Sequence, residues 1–302
     1  MLNADNGVSA LSVIKGASAV PVGDLIYADI PRESANQVIT TLRGLGLDRE
    51  GTIVINDAPT WISQAAFNAQ AQAPGAPSDA VVWASVIERA YAESALTWTF
   101  ISFMIFATAL ASIAIVTDSI ILVIAAMVLG PEFVAVASLG LALVRKRPHL
   151  FRQAAGTLAV GFAVSISAVA LLAALARLLG FIDLNDVDHL RPGTSFIYSP
   201  NAWSFVVALI AGAVGVLALT STQSGGLVGV FISVTTIPAS GDAALSLVFA
   251  RWSELAGSLT QLVINIAGMA IAGWITLALQ QQVWNRITAR TDSTARPRPG
   301  DQ

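Results

Sequence analysis

Long apolar stretches dominate the chain from residue 96 onward. Six of them have the roughly 20 residues that a helix needs to cross about 30 Å of hydrocarbon. The predicted spans are residues 97–116, 120–144, 153–179, 203–219, 224–250 and 258–279. The pattern therefore predicts a polytopic α-helical membrane domain over residues 96–281, and a basic, disordered cytoplasmic tail at 282–302.

Residues 1–60 follow a different pattern, in which polar and apolar positions are mixed. Leu11–Lys15, Leu25–Ile30 and Gly51–Asn56 are short apolar or alternating runs that predict strands. The apolar spacing within Pro31–Leu47 predicts a helix. The order strand, strand, helix, strand is part of a ferredoxin-like α+β unit. We therefore expect a soluble, truncated ferredoxin-like domain, which either stands alone or borrows a strand from another subunit.

Residues 61–95 connect this domain to the first span. The stretch at 62–80 is rich in Ala, Gln and Pro, which is typical of a linker. Asp79–Ser94 has the pattern of a helix that leads directly into the membrane. We therefore predict a linker followed by a juxtamembrane helix.

Spans two and five are interrupted by helix-breaking residues. Span two contains Gly130-Pro131-Glu132, and span five contains Pro238-Ala239-Ser240-Gly241-Asp242. Each is the middle member of three spans, and because three is odd, the two halves would enter the membrane from opposite sides as an inverted repeat. Paired interruptions at matching positions indicate a transporter's binding site. The alternative is that both prolines are packing kinks, which membrane helices tolerate.

Both interruptions carry a carboxylate, which is costly in lipid unless it is paired, protonated or hydrated. A buried carboxylate can carry a proton or hold a cation. Asp118 is a secondary candidate, with helix N-capping as its alternative role, and so is Gln261, which shares a helix face with Asn265. The predicted solute or ion site comprises Gly130, Pro131, Glu132, Thr236, Pro238, Ser240, Gly241, Asp242 and Asn265.

Composition supports the membrane assignment and narrows the chemistry. The chain is 55% hydrophobic and 12% charged, with a net charge of −3, which gives no reason to expect nucleic acid as a partner. It has no cysteine, and its two histidines, His149 and His189, lie far apart, so we predict neither a metal site nor a cofactor. Exposed strand edges and glycine-rich helix faces favour a homo-oligomer in the lipid bilayer.

The loops indicate an orientation. Four basic residues crowd the loop between spans two and three, and more follow span six: Arg145, Lys146, Arg147, Arg152, Arg286, Arg290, Arg296 and Arg298. Under the positive-inside rule, both termini of this multi-pass protein are then cytoplasmic, in a bacterial or archaeal inner membrane.

The membrane part resembles a known family. The segment that carries the resemblance is TWTFISFMIFATALASIAIVTDSIILVIAAMVLGPEFVAVASLGLALV, with an Ala-Met-x-x-Gly-Pro core at residues 126–131. The later stretch SGGLVGVFISVTTIPASGDAAL and Asn265 are similar to the family's later spans. The chain is thus identified as a member of the domain-of-unknown-function 389 family of bacterial and archaeal membrane proteins. The resemblance implies a ferredoxin-like domain before the membrane part and no assigned activity.

Three functions are compatible with these features. The leading hypothesis is a secondary transporter or channel for a small solute or ion, with its site at spans two and five. The second is a sensor, or a lipid- or ligand-binding scaffold, that acts through the N-terminal domain without transport. The third, an intramembrane hydrolase with Asp118 and Asp242 as an acid pair, lacks an activated nucleophile. We therefore expect that the protein is not an enzyme.

Overall fold

A computed structural model describes residues 2–4, 8–56, 63–73, 80–184, 202–220 and 226–295. In the helix that starts at Gly226, the side chains are described from residue 236 onward. The chain forms two compact units. The N-terminal unit comprises Met1–Glu88 with Gln280–Gln302, and the membrane unit comprises Arg89–Leu279.

A β-hairpin forms the sheet of the N-terminal unit. Strand β1 spans Ala10–Ala19 and β2 spans Val22–Asp29, paired antiparallel. Both strands predicted here are confirmed and are longer than expected. The third predicted strand, Gly51–Asn56, is wrong, because its residues pair with no strand in the described part of the chain. A strand-forming sequence becomes a strand only when a neighbour supplies ladder hydrogen bonds. The described sheet thus has two strands, and a ferredoxin-like fold is not confirmed.

Four helices follow the hairpin. They are α1 (Arg32–Gly44), α2 (Leu47–Glu50), α3 (Gln64–Gln72) and α4 (Trp83–Glu93). Helix α1 confirms the predicted helix, although the turn at Gly46, in the left-handed region, separates α2 from it. Helix α3 lies in the predicted linker, which is therefore partly helical, and α4 confirms the juxtamembrane helix. The side chain of Asn36 joins α1 to α4, since it donates to the Val81 carbonyl at 2.6 Å and accepts from the Trp83 N–H at 3.1 Å.

The membrane unit is built from helices. They are α5 (Trp98–Val116), α6 (Ile120–Leu129), α7 (Phe133–Val144), α8 (Pro148–Leu178), α9 (Ala202–Thr220), α10 (Gly226–Val248) and α11 (Trp252–Ala295). Among the described residues, α5, α8, α9 and α11 are each long and apolar enough to cross a membrane, and α6 with α7 forms a fifth span when the bent pair is counted as one. The protein is therefore a multi-pass membrane protein. The tail predicted as disordered from residue 282 is helical as far as Ala295.

Helix α10 lies at the centre of this unit and packs against α5, α6, α8 and α9. All its residues from 236 to 246 are buried. Gly241 permits the close approach to α5, because a Cβ there would lie 2.8 Å from the Cβ of Ala111 and 2.9 Å from the backbone N of Ser112. Small residues allow this kind of packing between membrane helices.

The turn between α5 and α6 corrects one expectation. Helix N-capping was the alternative role for Asp118, but Ser119 caps α6, with its Oγ accepting from the Leu122 N–H at 3.4 Å. Asp118 instead ends α5 with φ 44°, and the Ser119 N–H bonds back to the Ala114 carbonyl. Aspartate tolerates this left-handed conformation better than most residues, because its short polar side chain hydrogen-bonds locally.

Candidate functional site

The interruption of span two is confirmed. Helix α6 ends at Leu129, and α7 begins at Phe133 with a bend of 57° between the two. Gly130 is extended, with φ −62° and ψ 120°, because proline disfavours helical geometry in the residue before it. The short segment Gly130–Glu132 therefore leaves the helical hydrogen-bond ladder in the middle of an apolar sequence. We call it the break.

Glu132 is the acid of the break, and its side chain is fully buried. Its Oε1 accepts a hydrogen bond from Thr236 Oγ1 of α10 at 2.7 Å. Its backbone carbonyl accepts from the Val136 N–H at 2.9 Å and so starts α7. The structure thus brings together Glu132 and Thr236, two of the candidate site residues, from segments more than a hundred positions apart.

The predicted interruption of span five is wrong. Helix α10 runs without a break from Gly226 to Val248, with Pro238 inside it. Proline removes one backbone donor and crowds the preceding turn, but hydroxyl groups and neighbouring helices can compensate. In the turn after Pro238, Ser240 Oγ donates to the Ile237 carbonyl at 2.7 Å, which is not the carbonyl four residues before Pro238 that loses its donor. The predicted symmetry of two broken spans is therefore not found, and the inverted repeat is not confirmed.

Ser240 and Gly241 join α10 to α5. Because Ser240 Oγ donates its only proton to Ile237, the 3.0 Å contact with Thr108 Oγ1 has Thr108 as the donor. Ser112 Oγ lies 3.1 Å from the Gly241 carbonyl oxygen and 3.0 Å from that of Thr108, so its proton is shared between them. These contacts give Ser240 and Gly241 a clear structural role in holding two helices together.

Asp242 joins α10 to α11 and is almost fully buried. Its Oδ2 accepts from Ser258 Oγ of α11 at 2.6 Å, and Ser246 Oγ lies at the longer distance of 3.4 Å. Thr236 and Asp242 are six positions apart, which is about 9 Å along a helix axis, at about 1.5 Å per residue. The contacts described for the two candidate acids thus join different segments, Glu132 to α10 and Asp242 to α11.

Helix α11 carries two buried amide side chains. Gln261 and Asn265 are four residues apart on one helix face, and both side chains are buried. The Gln261 Oε1 has no hydrogen-bond partner among the described residues. A buried amide oxygen without a donor is uncommon, because its desolvation is not offset.

Sequence reasoning missed several hydroxyl residues that complete this polar region. They are Thr108, Ser112, Ser246 and Ser258. A signal did exist, since Thr108 and Ser112 are polar residues four apart in an apolar helix. It is weak, because a membrane helix also accommodates a hydroxyl that bonds its own backbone.

The buried region can supply oxygen ligands and a titratable carboxylate. Carboxylate, hydroxyl and amide oxygens suit a proton or a hard cation. In the described part of the chain, no group of three or more His, Asp or Glu side chains is arranged to hold a metal ion. Asp118 is half-buried in the turn after α5.

The juxtamembrane helix is tied to α7, which follows the break, and to α8. Ser94 Oγ donates to Ser138 Oγ of α7 at 2.9 Å, and the Ser94 carbonyl accepts from Thr157 Oγ1 of α8 at 2.7 Å. Gln153 Nε2 donates to the Tyr91 carbonyl at 2.8 Å. The C-terminal end of α4 is therefore anchored to α7, the helix that Glu132 starts, as well as to α8.

Comparison with known proteins supports the family resemblance. Residues 127–271 match a family model described as Domain of unknown function (DUF389). This range begins just before the break and includes α7 to α10 and most of the apolar part of α11. The chain has no significant match among curated proteins or solved structures. The predicted family is thus confirmed, and the membrane unit of this protein carries a DUF389 domain.

Proposed function

We propose that the protein is a secondary transporter or channel for a small solute or ion. Glu132 is its proton or cation carrier, and Asp242 acts as its counterpart. Thr236, Ser240 and Asn265 supply further oxygen ligands. The observation that carries the proposal is the fully buried carboxylate of Glu132 in a break of an apolar span, bonded to Thr236 of α10.

The physical argument is that such an arrangement is costly without a function. Lipid cannot satisfy the backbone groups that a broken span releases. An ionisable side chain inside a membrane protein is rare and commonly marks a path for ions or protons. Ser240 and Gly241 have structural roles in packing α10 against α5, so the proposal depends most on Glu132.

A flux assay in liposomes tests the proposal. Purified protein is reconstituted with a pH-sensitive dye inside the vesicles, and a potassium diffusion potential drives protons inward. Parallel assays use a sodium-sensitive dye inside the vesicles and an inward sodium gradient. We expect flux above that of empty vesicles, and loss of that flux in Glu132→Gln, which keeps the shape of the side chain. Unchanged flux in this variant would remove Glu132 from the mechanism.

Glu88→Gln is the matched control for this assay. Glu88 is an exposed carboxylate on α4, so the substitution removes one negative charge outside the buried region. Its flux should equal that of the unaltered protein. A parallel loss of flux in both variants would point to a general effect of charge on reconstitution and would contradict the specific role of Glu132.

A second candidate function is a sensor or a ligand-binding scaffold that acts through the N-terminal unit. A cavity lined by residues of that unit favours it. Deletion of residues 1–78 separates the two functions. Flux that survives the deletion supports transport as the main task, whereas absence of flux in the full-length protein supports the scaffold.

The remaining expectations belong to the same proposal. Both termini are cytoplasmic in a bacterial or archaeal inner membrane, and the protein is a homo-oligomer. The exposed apolar residues of the hairpin, such as Val20 and Val22, support self-association. An enzymatic role for Asp118 with Asp242 stays a minor hypothesis. Cysteine labelling from either side of the membrane and cross-linking in native membranes test orientation and assembly.

A further inference from the structure

The N-terminal unit contains a cavity of about 850 Å³. We call it the N-terminal cavity. It is lined by residues of the hairpin, of α1 and of the segment 51–56. Its volume is within the range of about 300–1,000 Å³ that is typical of sites for small molecules. Val38, Ile39, Leu42 and Ile53 give it an apolar wall.

Two charged residues of the first turn of α1 line this cavity, and each has buried polar atoms without a hydrogen-bond partner among the described residues. Glu33 is only 5% exposed, and neither of its carboxylate oxygens has a hydrogen-bond partner among the described residues. The Nε of Arg32 is also buried without a partner. Buried polar groups are normally hydrogen-bonded, since an unpaired one keeps its full desolvation cost. The cavity therefore presents both an unsatisfied acceptor and an unsatisfied donor.

Helix capping does not account for Glu33. An acidic residue is common in the first turn of a helix, where its carboxylate bonds backbone N–H groups. Here the cap residue of α1 is Pro31, and no side chain caps the helix. Burial raises the pKa of Glu33, and the nearby Glu33 backbone N–H and the charge of Arg32 lower it by less, although neither makes a well-formed hydrogen bond to the carboxylate. The carboxylate is thus held in the cavity at a cost that a bound donor would relieve.

The charges around the cavity indicate what it attracts. Among the described residues, Asp24, Asp29, Glu33 and Glu50 line it together with one cation, Arg32. Asp24 already accepts from the Gly16 N–H at 2.8 Å. The excess of negative charge favours a cationic group, and an ammonium offers three donors to a carboxylate. The Arg32 Nε–H then needs an acceptor oxygen on the same ligand.

We propose that the N-terminal cavity binds a small zwitterionic amine with an apolar body, of the chemical class of apolar α-amino acids. Glu33 binds the ammonium, Arg32 donates to the carboxylate, and the wall formed by Val38, Ile39 and Leu42 holds the apolar side chain. The proposal does not rest on transport, because every residue that carries it belongs to the N-terminal unit.

Calorimetry on the full-length protein in detergent tests this proposal with three probes of similar size. L-Phenylalanine has both charged groups, 2-phenylethylamine lacks the carboxylate, and 3-phenylpropanoate lacks the ammonium. We expect L-phenylalanine to bind most tightly, the amine to bind at least about tenfold more weakly, and the acid not to bind. Equal binding of all three probes would overturn the proposal. So would the absence of L-phenylalanine binding at concentrations up to about 10 mM.

Three variants assign the roles of the residues. Glu33→Gln should reduce the affinity for L-phenylalanine at least about tenfold, whereas Asp48→Asn, which removes an exposed carboxylate of α2 outside the cavity, should leave it unchanged. Arg32→Gln should weaken L-phenylalanine but not 2-phenylethylamine. Thermal unfolding of each variant without ligand checks that it is folded. Unchanged affinity in a folded Glu33→Gln variant would contradict the proposed site, whatever the flux assay shows.

Discussion

The two proline-containing spans of the membrane unit behave differently. The chain breaks at Gly130-Pro131 with a bend of 57°, whereas Pro238 lies inside a continuous helix. Both prolines lack the backbone donor of an ordinary residue. The difference must therefore come from their surroundings.

Two local features separate these segments. Gly130 precedes Pro131, and glycine is a poor helix former, whereas Ile237, a better helix former, precedes Pro238. After Pro238, Gly241 lets α10 lie directly against α5. The comparison teaches that a proline does not by itself open a membrane helix, because the residue before it and the packing of its helix also decide.

The strongest test restores the helix at the break. The double variant Gly130→Ala/Pro131→Ala should straighten span two and move Glu132 away from Thr236. Spin labels on exposed residues, introduced as Ile121→Cys and Leu143→Cys in this cysteine-free chain, should move apart by about 4 Å when the 57° bend is removed, from a rise of about 1.5 Å per residue. Flux, if the protein transports, should fall by about tenfold or more, because the buried carboxylate is displaced.

Pro238→Ala is the matched control for this experiment. It removes the proline of the continuous helix, so we expect the same label distance and a flux within about twofold of the unaltered protein. A distance change of several ångströms in Pro238→Ala, or none in the double variant, would mean that the two segments do not differ in the way described.

The next test concerns the packing that keeps α10 continuous. Gly241→Ala introduces a Cβ within 3 Å of two atoms of α5, so it should lower the free energy of unfolding by about 1–3 kcal/mol. Gly156→Ala is the control, since nothing lies within 4 Å of a Cβ at that position. Reversible unfolding in mixed micelles measures both. Equal effects of the two substitutions would show that the close approach is unimportant.

A smaller effect is expected for the acid of the continuous helix. Ser258 donates to Asp242 at 2.6 Å, and a hydrogen bond between membrane helices contributes about 0.6–1.7 kcal/mol. A double-mutant cycle of Ser258→Ala and Asp242→Asn should give a coupling of about 1 kcal/mol in the free energy of unfolding. Additive effects would indicate that the two side chains do not interact.

The smallest effect is expected for the contact between Thr236 of α10 and Glu132 of the break. Thr236→Val keeps the shape of the side chain but removes the donor to Glu132. We expect the free energy of unfolding to decrease by about 0.6 kcal/mol, again from the measured strength of such bonds. Thr117→Val is a control, because the Thr117 hydroxyl bonds only the backbone of its own helix. A decrease no larger than that of the control would contradict the contact.

Much of the fold follows from local pattern. Apolar stretches of sufficient length predicted six spans, and the described residues contain four, or five with the bent pair, because burial in lipid depends on length and hydrophobicity more than on any particular partner. The strands near Leu11 and Leu25 and the helix that begins at Arg32 were predictable for a similar reason, since their signals lie within a few residues. The break at Gly130-Pro131 was also predictable, because both residues disfavour a helix.

Other features depended on distant partners. Gly51–Asn56 has the sequence of a strand but pairs with none in the described chain, because its state is decided by the presence of a neighbouring edge. Among the predicted site residues, Thr236 could not be linked to Glu132 from sequence, nor Asp242 to Ser258, because those contacts join different helices. The unsatisfied polar atoms of Arg32 and Glu33 likewise become visible only once burial is known.

The sequence alone determined that this is a multi-pass membrane protein with a DUF389 domain, with a small mixed unit before its spans and an acid beside a helix-breaking pair. Only the tertiary structure decided which proline opens its helix, which hydroxyl meets which carboxylate and which charges are buried. The physical reason is the distance along the chain over which each effect acts. Hydrophobic length and helix propensity act within one segment. The partners of a buried hydroxyl or carboxylate are side chains that are far away in the chain.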